Sequence, residues 1–434
     1  MVKKYVFWRT PTGQPYKRDD GKYAPTSLLE QIGKSATIND DGSISWPFSD
    51  YFRNEFTIRS MITVIDNEGN ELNEIDTMSI ASETITAVIK KQGKKQPITP
   101  RDFITHADRL AAKYFRKSVN PYVLVTSLSI KDLPSQRIHI HDCEITSLAS
   151  RRKYKIPDAL ANSHNGRQLI EHLKSTKYLF IKVKTSGHSA FEASERALEA
   201  LSLLRGMWTL ICTHGQRAMR IGASKRDTIG VIHIGPVHTL HQLDGSPAID
   251  LYWYEPGYTC DKKIFTPSNN WDEIKKRQQY ASRKLKTHPF GLAVKRLLMR
   301  YAEALDQSNL DLTFLQMWSI LEKITDTIGA NYDETINRVS WIYKDRKAAK
   351  EELSYLRVRR NQYVHSAKNS EDVDQIAYSI KTYVDAHLLR VISNEFRVSS
   401  LSEYGKFLSL PINITTLEKN REQINLALKL LKSG

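Results

Sequence analysis

Apolar residues recur along this chain with two periods, and the change from one to the other falls near residue 290. A period of two, in which successive side chains take opposite faces of a strand, marks 121–130 (PYVLVTSLSI), 137–145 (RIHIHDCEI) and 177–185 (KYLFIKVKT). In the last of these, Leu179, Ile181 and Val183 share a face. Residues 61–72 (MITVIDNEGNEL) read as two strands joined by a turn at 66–69, and 82–90 (SETITAVIK) continues the strand-rich part into a charged loop. Thr99 followed by Pro100 has the form of an N-cap with proline at the first helical position, and predicts a helix to about Lys117. Ser189 opens a long amphipathic helix with Phe191, Ser194, Leu198, Leu201, Leu204 and Trp208 near helical spacing. Residues 271–289 form a polar, basic helix that Pro289 closes.

Beyond that point the period is helical throughout. Five helices are predicted, over 292–307, 311–329, 333–345, 347–367 and 371–394. The second carries Phe314, Met317, Trp318, Leu321, Ile324 and Ile328 on one stripe, with Gly329 at its end. A tail follows Ser399, with a final helix from about Leu417 that Thr415 and Glu418 cap as a box. The pattern therefore predicts an α+β chain: a mixed α/β N-terminal region followed by an all-α bundle. Three domains are expected, a strand-rich unit at 1–165, a second α/β unit at 166–288 and a helical unit at 289–434.

Charge adds a partner class. The net charge is +16, and most of the excess lies before residue 291. A basic surplus of this size favours an anionic partner, and nucleic acid is the commonest. The clusters Lys90, Lys91, Lys94, Lys95 and Arg151, Arg152, Lys153 are candidate contacts to an RNA backbone. Cysteines 143, 212 and 260 are too few and too scattered for a disulfide framework. No stretch has the run of about 18 apolar residues that a membrane span needs, and the N-terminus shows no signal-peptide pattern. A cytoplasmic protein with no membrane partner is expected.

Few motifs carry chemistry. No P-loop and no GxGxxG is present, so no nucleotide cofactor is expected. His139 with His141, and His233, His238 and His241, are short of a complete zinc set, and no metal cofactor is expected. An arginine followed five positions later by histidine occurs four times, as Arg101/His106, Arg167/His172, Arg283/His288 and Arg360/His365. Spacing alone cannot choose among them. Only the last pair lies in the helical third, beside Leu353, Leu356 and Tyr363 on its own helix. On a straight helix Arg360 and His365 point roughly 140° apart, whereas Asn361 and His365 share a face. A bent helix end, or a second copy of the helix supplied by a twofold dimer, would bring guanidinium and imidazole together.

The region from 291 to 394 resembles a HEPN domain, most closely the Apea-like subgroup. The residues carrying the resemblance are FLQMWSILEKI (314–324), with its Trp318-x-x-Leu321-Glu322, and RNQYVH (360–365). The resemblance implies a homodimer, formed through the helical domain, that cuts RNA without a metal at a composite site. It also implies a toxin of antiviral defence and abortive infection, with a phage-derived trigger. Carried over, Arg360 and His365 match the catalytic pair, Asn361 the polar position, and Glu322 an acidic residue some relatives use. Arg357 and Arg359 on the same helix are further RNA-binding candidates. One subgroup carries an adenylylated tyrosine two residues after the histidine; here that position is Ala367. The residue types suit the reaction. Imidazole exchanges protons near neutral pH, and guanidinium binds phosphate oxygens in pairs. A different class of reading keeps the same bundle as a non-catalytic regulator that binds nucleic acid or protein, and another moves the chemistry to Arg101/His106.

Overall fold

The structure is a computed structural model that describes residues 4–432 apart from 12, 19–20, 93–95, 216–227, 256–257, 259–261, 268–270, 330–331 and 367–371; for 48–52, 92 and 364–366 only the helical backbone is described. The chain is α+β with a helical C-terminal region.

The first unit contains β1 (Val6–Arg9), β2 (Pro15–Tyr16), α1 (Thr26–Ser35), β3 (Thr37–Ile38), β4 (Ile44–Ser45), α2 (Phe48–Ser60), β5 (Ile62–Val64), α3 (Glu74–Gln92) and α4 (Pro100–Phe115). Strands β2-β1-β5 form an antiparallel sheet, with Val6 opposite Val64. A separate core gathers Val6, Trp8, Leu29, Ile32, Ile58, Ile85 and Phe103. The strand expected around 82–90 is instead the middle of α3. Ile80, Ala81, Ile85, Val88 and Ile89 are all buried, a helical stripe that a short window reads as alternation. The turn at 66–69 forms as expected, but it is closed by a single bridge from Ile65 to Glu71 and no full second strand follows. Thr99 caps α4 as expected, its hydroxyl accepting from the Asp102 amide at 3.1 Å.

A six-stranded antiparallel sheet follows, from β6 (Asn120–Leu128), β7 (Ile138–Ile140), β8 (Cys143–Ser147), β9 (Leu179–Gly187), β10 (Val237–His241) and β11 (Trp253–Tyr254), in the order β11-β10-β6-β9-β8-β7. Its helices are α5 (Asp158–Asn162), α6 (Gly166–Ser175), α7 (Ala190–Thr213) and α8 (Trp271–Lys286). Residues 137–145 are two strands rather than one, because the chain reverses at His141 with φ 52°. Ser189 caps α7 by accepting from the Glu192 amide at 3.0 Å.

The bundle comprises α9 (Gly291–Asp306), α10 (Leu310–Ile324), α11 (Tyr332–Ser340), α12 (Arg346–Ser366), α13 (Val373–Ser393), α14 (Leu401–Leu408) and α15 (Ile414–Lys432). All five expected helices form. The second ends at Ile324, before the expected Gly329, because Asp326 turns left-handed and Arg338 of α11 donates to the Thr325 and Asp326 carbonyls at 2.8 and 2.9 Å. Ile328 is therefore 64% exposed and not on the stripe. The tail holds the unexpected α14. Its last helix starts at Ile414, with Asn413 accepting from the Thr416 amide at 3.1 Å in place of the expected Thr415 box.

One continuous core joins the larger sheet, α7, α8 and the bundle. The expected boundaries at 165 and 288 both fall within its span. Two contacts explain the continuity. A Cβ on Gly206 of α7 would lie 2.2 Å from the Leu298 carbonyl of α9, so the two backbones approach as closely as glycine allows. Lys381 of α13, 1% exposed, donates to the Thr213 carbonyl at the end of α7 at 3.2 Å and to Asp385 at 2.5 Å, and Tyr301 of α9 donates to the same carboxylate at 2.6 Å.

Candidate functional site

Three helices converge on Arg360. Helix α10 is held by its buried stripe, and Asn309 caps its start by accepting from the Asp311 and Leu312 amides. This sets Trp318 and Glu322, four apart, on one side, and the indole N–H donates to Glu322 Oε1 at 2.9 Å. Tyr332 opens α11 and meets Trp318 edge to face at 6.3 Å. Helix α12 buries Leu353 and Leu356, which turns Arg360 toward the other two helices. The Arg360 guanidinium lies 4.9 Å from the centre of the Tyr332 ring, a cation–π contact.

The electrostatics follow from this packing. Partial burial raises the Glu322 pKa above the usual carboxylate value, while the Trp318 N–H and the Arg360 charge act in the opposite direction. Arg360 makes no ion pair within 4 Å among the described residues, and its bond to Asn361 Oδ1 is long, at 3.5 Å. Its planar fork of N–H donors is thus positioned by an aromatic face and uncommitted to a carboxylate.

The structure thus brings together Arg360, Asn361 and Glu322. His365 falls in the last turn of α12, and its side chain lies outside the described residues. Tyr332 was not singled out from the sequence. An aromatic residue at the start of a short helix gives no signal until the neighbouring helix is placed. Arg357 is tied to Asp333 at 2.5 Å and Arg359 to the Tyr355 hydroxyl at 3.0 Å.

The other candidates sit apart. Lys90 and Lys91 are exposed at the end of α3, and Lys94 and Lys95 lie outside the described residues. Arg151 is not a free surface cation: it turns inward to donate to Thr239 Oγ1 at 2.7 Å, and burial lowers its pKa to about 10. Arg152 and Lys153 are exposed, and Lys153 donates to the Leu243 carbonyl at 3.0 Å. Arg101 is exposed on α4, and His106 bonds the Asp102 carbonyl within its own helix at 3.0 Å. His233 and His238 are each satisfied separately, by Thr228 and Asp306 and by Thr126 and Glu255, while His241 pairs Nε2 with Thr239 Oγ1 and its buried Nδ1 has no hydrogen-bond partner among the described residues. Among the described residues no group of three or more His, Cys, Asp or Glu is arranged to hold a metal, and no helix is long and apolar enough to cross a membrane.

Apart from these residues, a cleft of about 950 Å³ lies between the first unit and the sheet and α9; Arg59, Glu74, Glu195, Arg196, Lys295 and Arg300 are on its walls. Comparison with protein-family models, curated proteins and solved structures finds no match for this chain.

Proposed function

We propose that the chain is a metal-independent endoribonuclease of HEPN type, acting in the cytoplasm as a toxin of antiviral defence. The observation that supports this most is Arg360: half-buried, braced on Tyr332 beside Glu322, and, among the described residues, with no carboxylate bound to its N–H fork. In this reading Arg360 grips the oxygens of a phosphodiester and stabilises the charge that develops as the neighbouring 2′-hydroxyl attacks. His365 takes the hydroxyl proton or returns one to the leaving 5′-oxygen. Asn361, four residues before it on the same face, orients the imidazole. Glu322, held by Trp318, maintains the guanidinium's position. A homodimer would supply Arg360 from one protomer and His365 from its partner. The N-terminal part would sense a trigger of phage origin.

Purified protein incubated with total RNA tests this directly. Cleavage is expected with EDTA present, and DNA, which lacks the 2′-hydroxyl, is expected to survive. Arg360→Ala and His365→Ala are each expected to lower cleavage by about 100-fold or more and to abolish growth arrest. RNA binding without cleavage by the wild type would favour the non-catalytic regulator. Retained cleavage in both variants, lost on Arg101→Ala or His106→Ala, would move the chemistry to α4.

A further inference from the structure

Helix α15 runs for 19 residues and buries none of them. An isolated helix of this length is marginal in water, so its stability requires a covering surface. Five of its seven large apolar residues are ordered: Ile414, Leu417, Ile424, Leu428 and Leu431 recur at alternating steps of three and four once Arg421 is counted between Leu417 and Ile424, while the exposed Leu426 and Leu430 lie off this line. This is the a/d seam of a heptad repeat, suited to a second helix of the same pitch. Four of the six positions are well exposed, Ile414 at 73%, Ile424 at 59%, Leu428 at 47% and Leu431 at 81%.

We infer that α15 is a dimerisation element whose occupant is α15 of a second copy of this chain, in antiparallel orientation. Three arguments select that occupant. First, the seam is self-complementary when reversed: Ile414 meets Leu431 of the partner subunit, Leu417 meets Leu428 of the partner subunit, and Arg421 meets Ile424 of the partner subunit. A parallel pair would set the two Arg421 side chains opposite one another. Second, charge agrees with the reversed order. Glu418 and Lys429 lie on the same flank of the seam, and reversal brings each beside the other's counterpart, twice per dimer. Third, the area is of the right size. Removing about 100 Å² from each of the four exposed apolar seam residues on both helices, with a smaller share from the half-buried Leu417, buries on the order of 900 Å², close to the roughly 1,000 Å² at which specific interfaces begin.

The inference is independent of the ribonuclease reading, and its test contains no RNA. Sedimentation of the full chain at about 10 µM is expected to show a dimer. Ile424→Glu with Leu428→Glu is expected to weaken association at least 10-fold without changing the thermal midpoint of the body. Glu418→Lys alone is expected to weaken the dimer, and Glu418→Lys with Lys429→Glu to restore it, which reads out the antiparallel register. A monomeric wild type overturns the inference, including one that instead sediments with anionic phosphatidylserine vesicles. So does a dimer that the double glutamate variant leaves intact, or a charge exchange that fails to rescue.

Discussion

At the residue scale, the most informative groups are buried polar side chains with specific partners. His387 is fully buried: its Nε2–H donates to the Val339 carbonyl at 3.0 Å, and the Tyr404 hydroxyl donates to Nδ1 at 2.8 Å. Burial lowers its pKa from 6.5 to about 4. Burial, with the Arg151 charge in second place, does the same to His241. The folded chain keeps both rings neutral down to about pH 4, whereas the unfolded chain protonates them near 6.5. Between those values the unfolded state binds more protons, so stability falls as pH falls, by up to about 1.4 kcal/mol per unit for each ring. Denaturant unfolding at pH 7 and pH 5 is expected to show this loss. His387→Phe should lower stability at pH 7 yet give a shallower pH dependence; an unchanged slope would refute the assignment. Glu322→Gln belongs at the same scale. The amide oxygen still accepts from Trp318, so stability should change by less than about 1 kcal/mol. RNA cleavage, in the proposed reading, should drop.

Helices in the larger unit are positioned by close approach and by buried charge. Gly206→Val places two methyl groups against the Leu298 carbonyl and forces α7 from α9, a loss of about 3 kcal/mol or more, measured by denaturant midpoint. Lys381→Met leaves the Asp385 carboxylate buried with Tyr301 as its remaining donor among the described residues, and about 3–5 kcal/mol is expected to be lost. Restoring a neutral partner with Asp385→Asn in the same chain should recover part of it. Recovery fails if the lysine acts only through packing. The elements themselves were largely readable from the sequence. Ser189 and Thr99 announced their helices because a capping hydroxyl next to an apolar stripe is a local signal. Helix α3 is not legible in residues 82–90 alone, because over so short a stretch its stripe of Ile80, Ala81, Ile85, Val88 and Ile89 has the same look as strand alternation. The end of α10 was misplaced because Arg338, a residue of another helix, takes its last carbonyls.

For the whole molecule, the join between the first unit and the rest is a polar one. The Tyr114 hydroxyl lies 2.9 Å from Asp76 Oδ2 and 3.0 Å from Glu192 Oε2, and Ser189 donates to the same Asp76 oxygen at 2.5 Å. Tyrosine carries one hydroxyl proton, so it bonds one carboxylate while separating two. Tyr114→Phe removes the donor and leaves Asp76 and Glu192 facing each other. A loss of about 1–3 kcal/mol is expected. Proteolysis at the join should quicken as the units separate, and an unchanged cleavage pattern would show that the cores hold them without it. The 950 Å³ cleft lies beside this join, so a change in the angle between the units changes its width.

The sequence by itself determined the class of the fold, the switch from strand to helix period near residue 290, the five bundle helices and the identity of Arg360, Asn361, His365 and Glu322 as candidates. The fold class, the switch and the helices rest on residues within one or two turns of one another, where periodicity and capping act, whereas the four candidates rest on a resemblance in two short motifs. Tertiary structure alone decided that Glu322, Tyr332 and Arg360 meet, that Arg151 turns inward, and that α7 belongs to the same core as the bundle. Those outcomes depend on contacts between segments tens to hundreds of residues apart. Packing shape and desolvation, summed over the whole chain, choose among such contacts, and no local pattern encodes that sum.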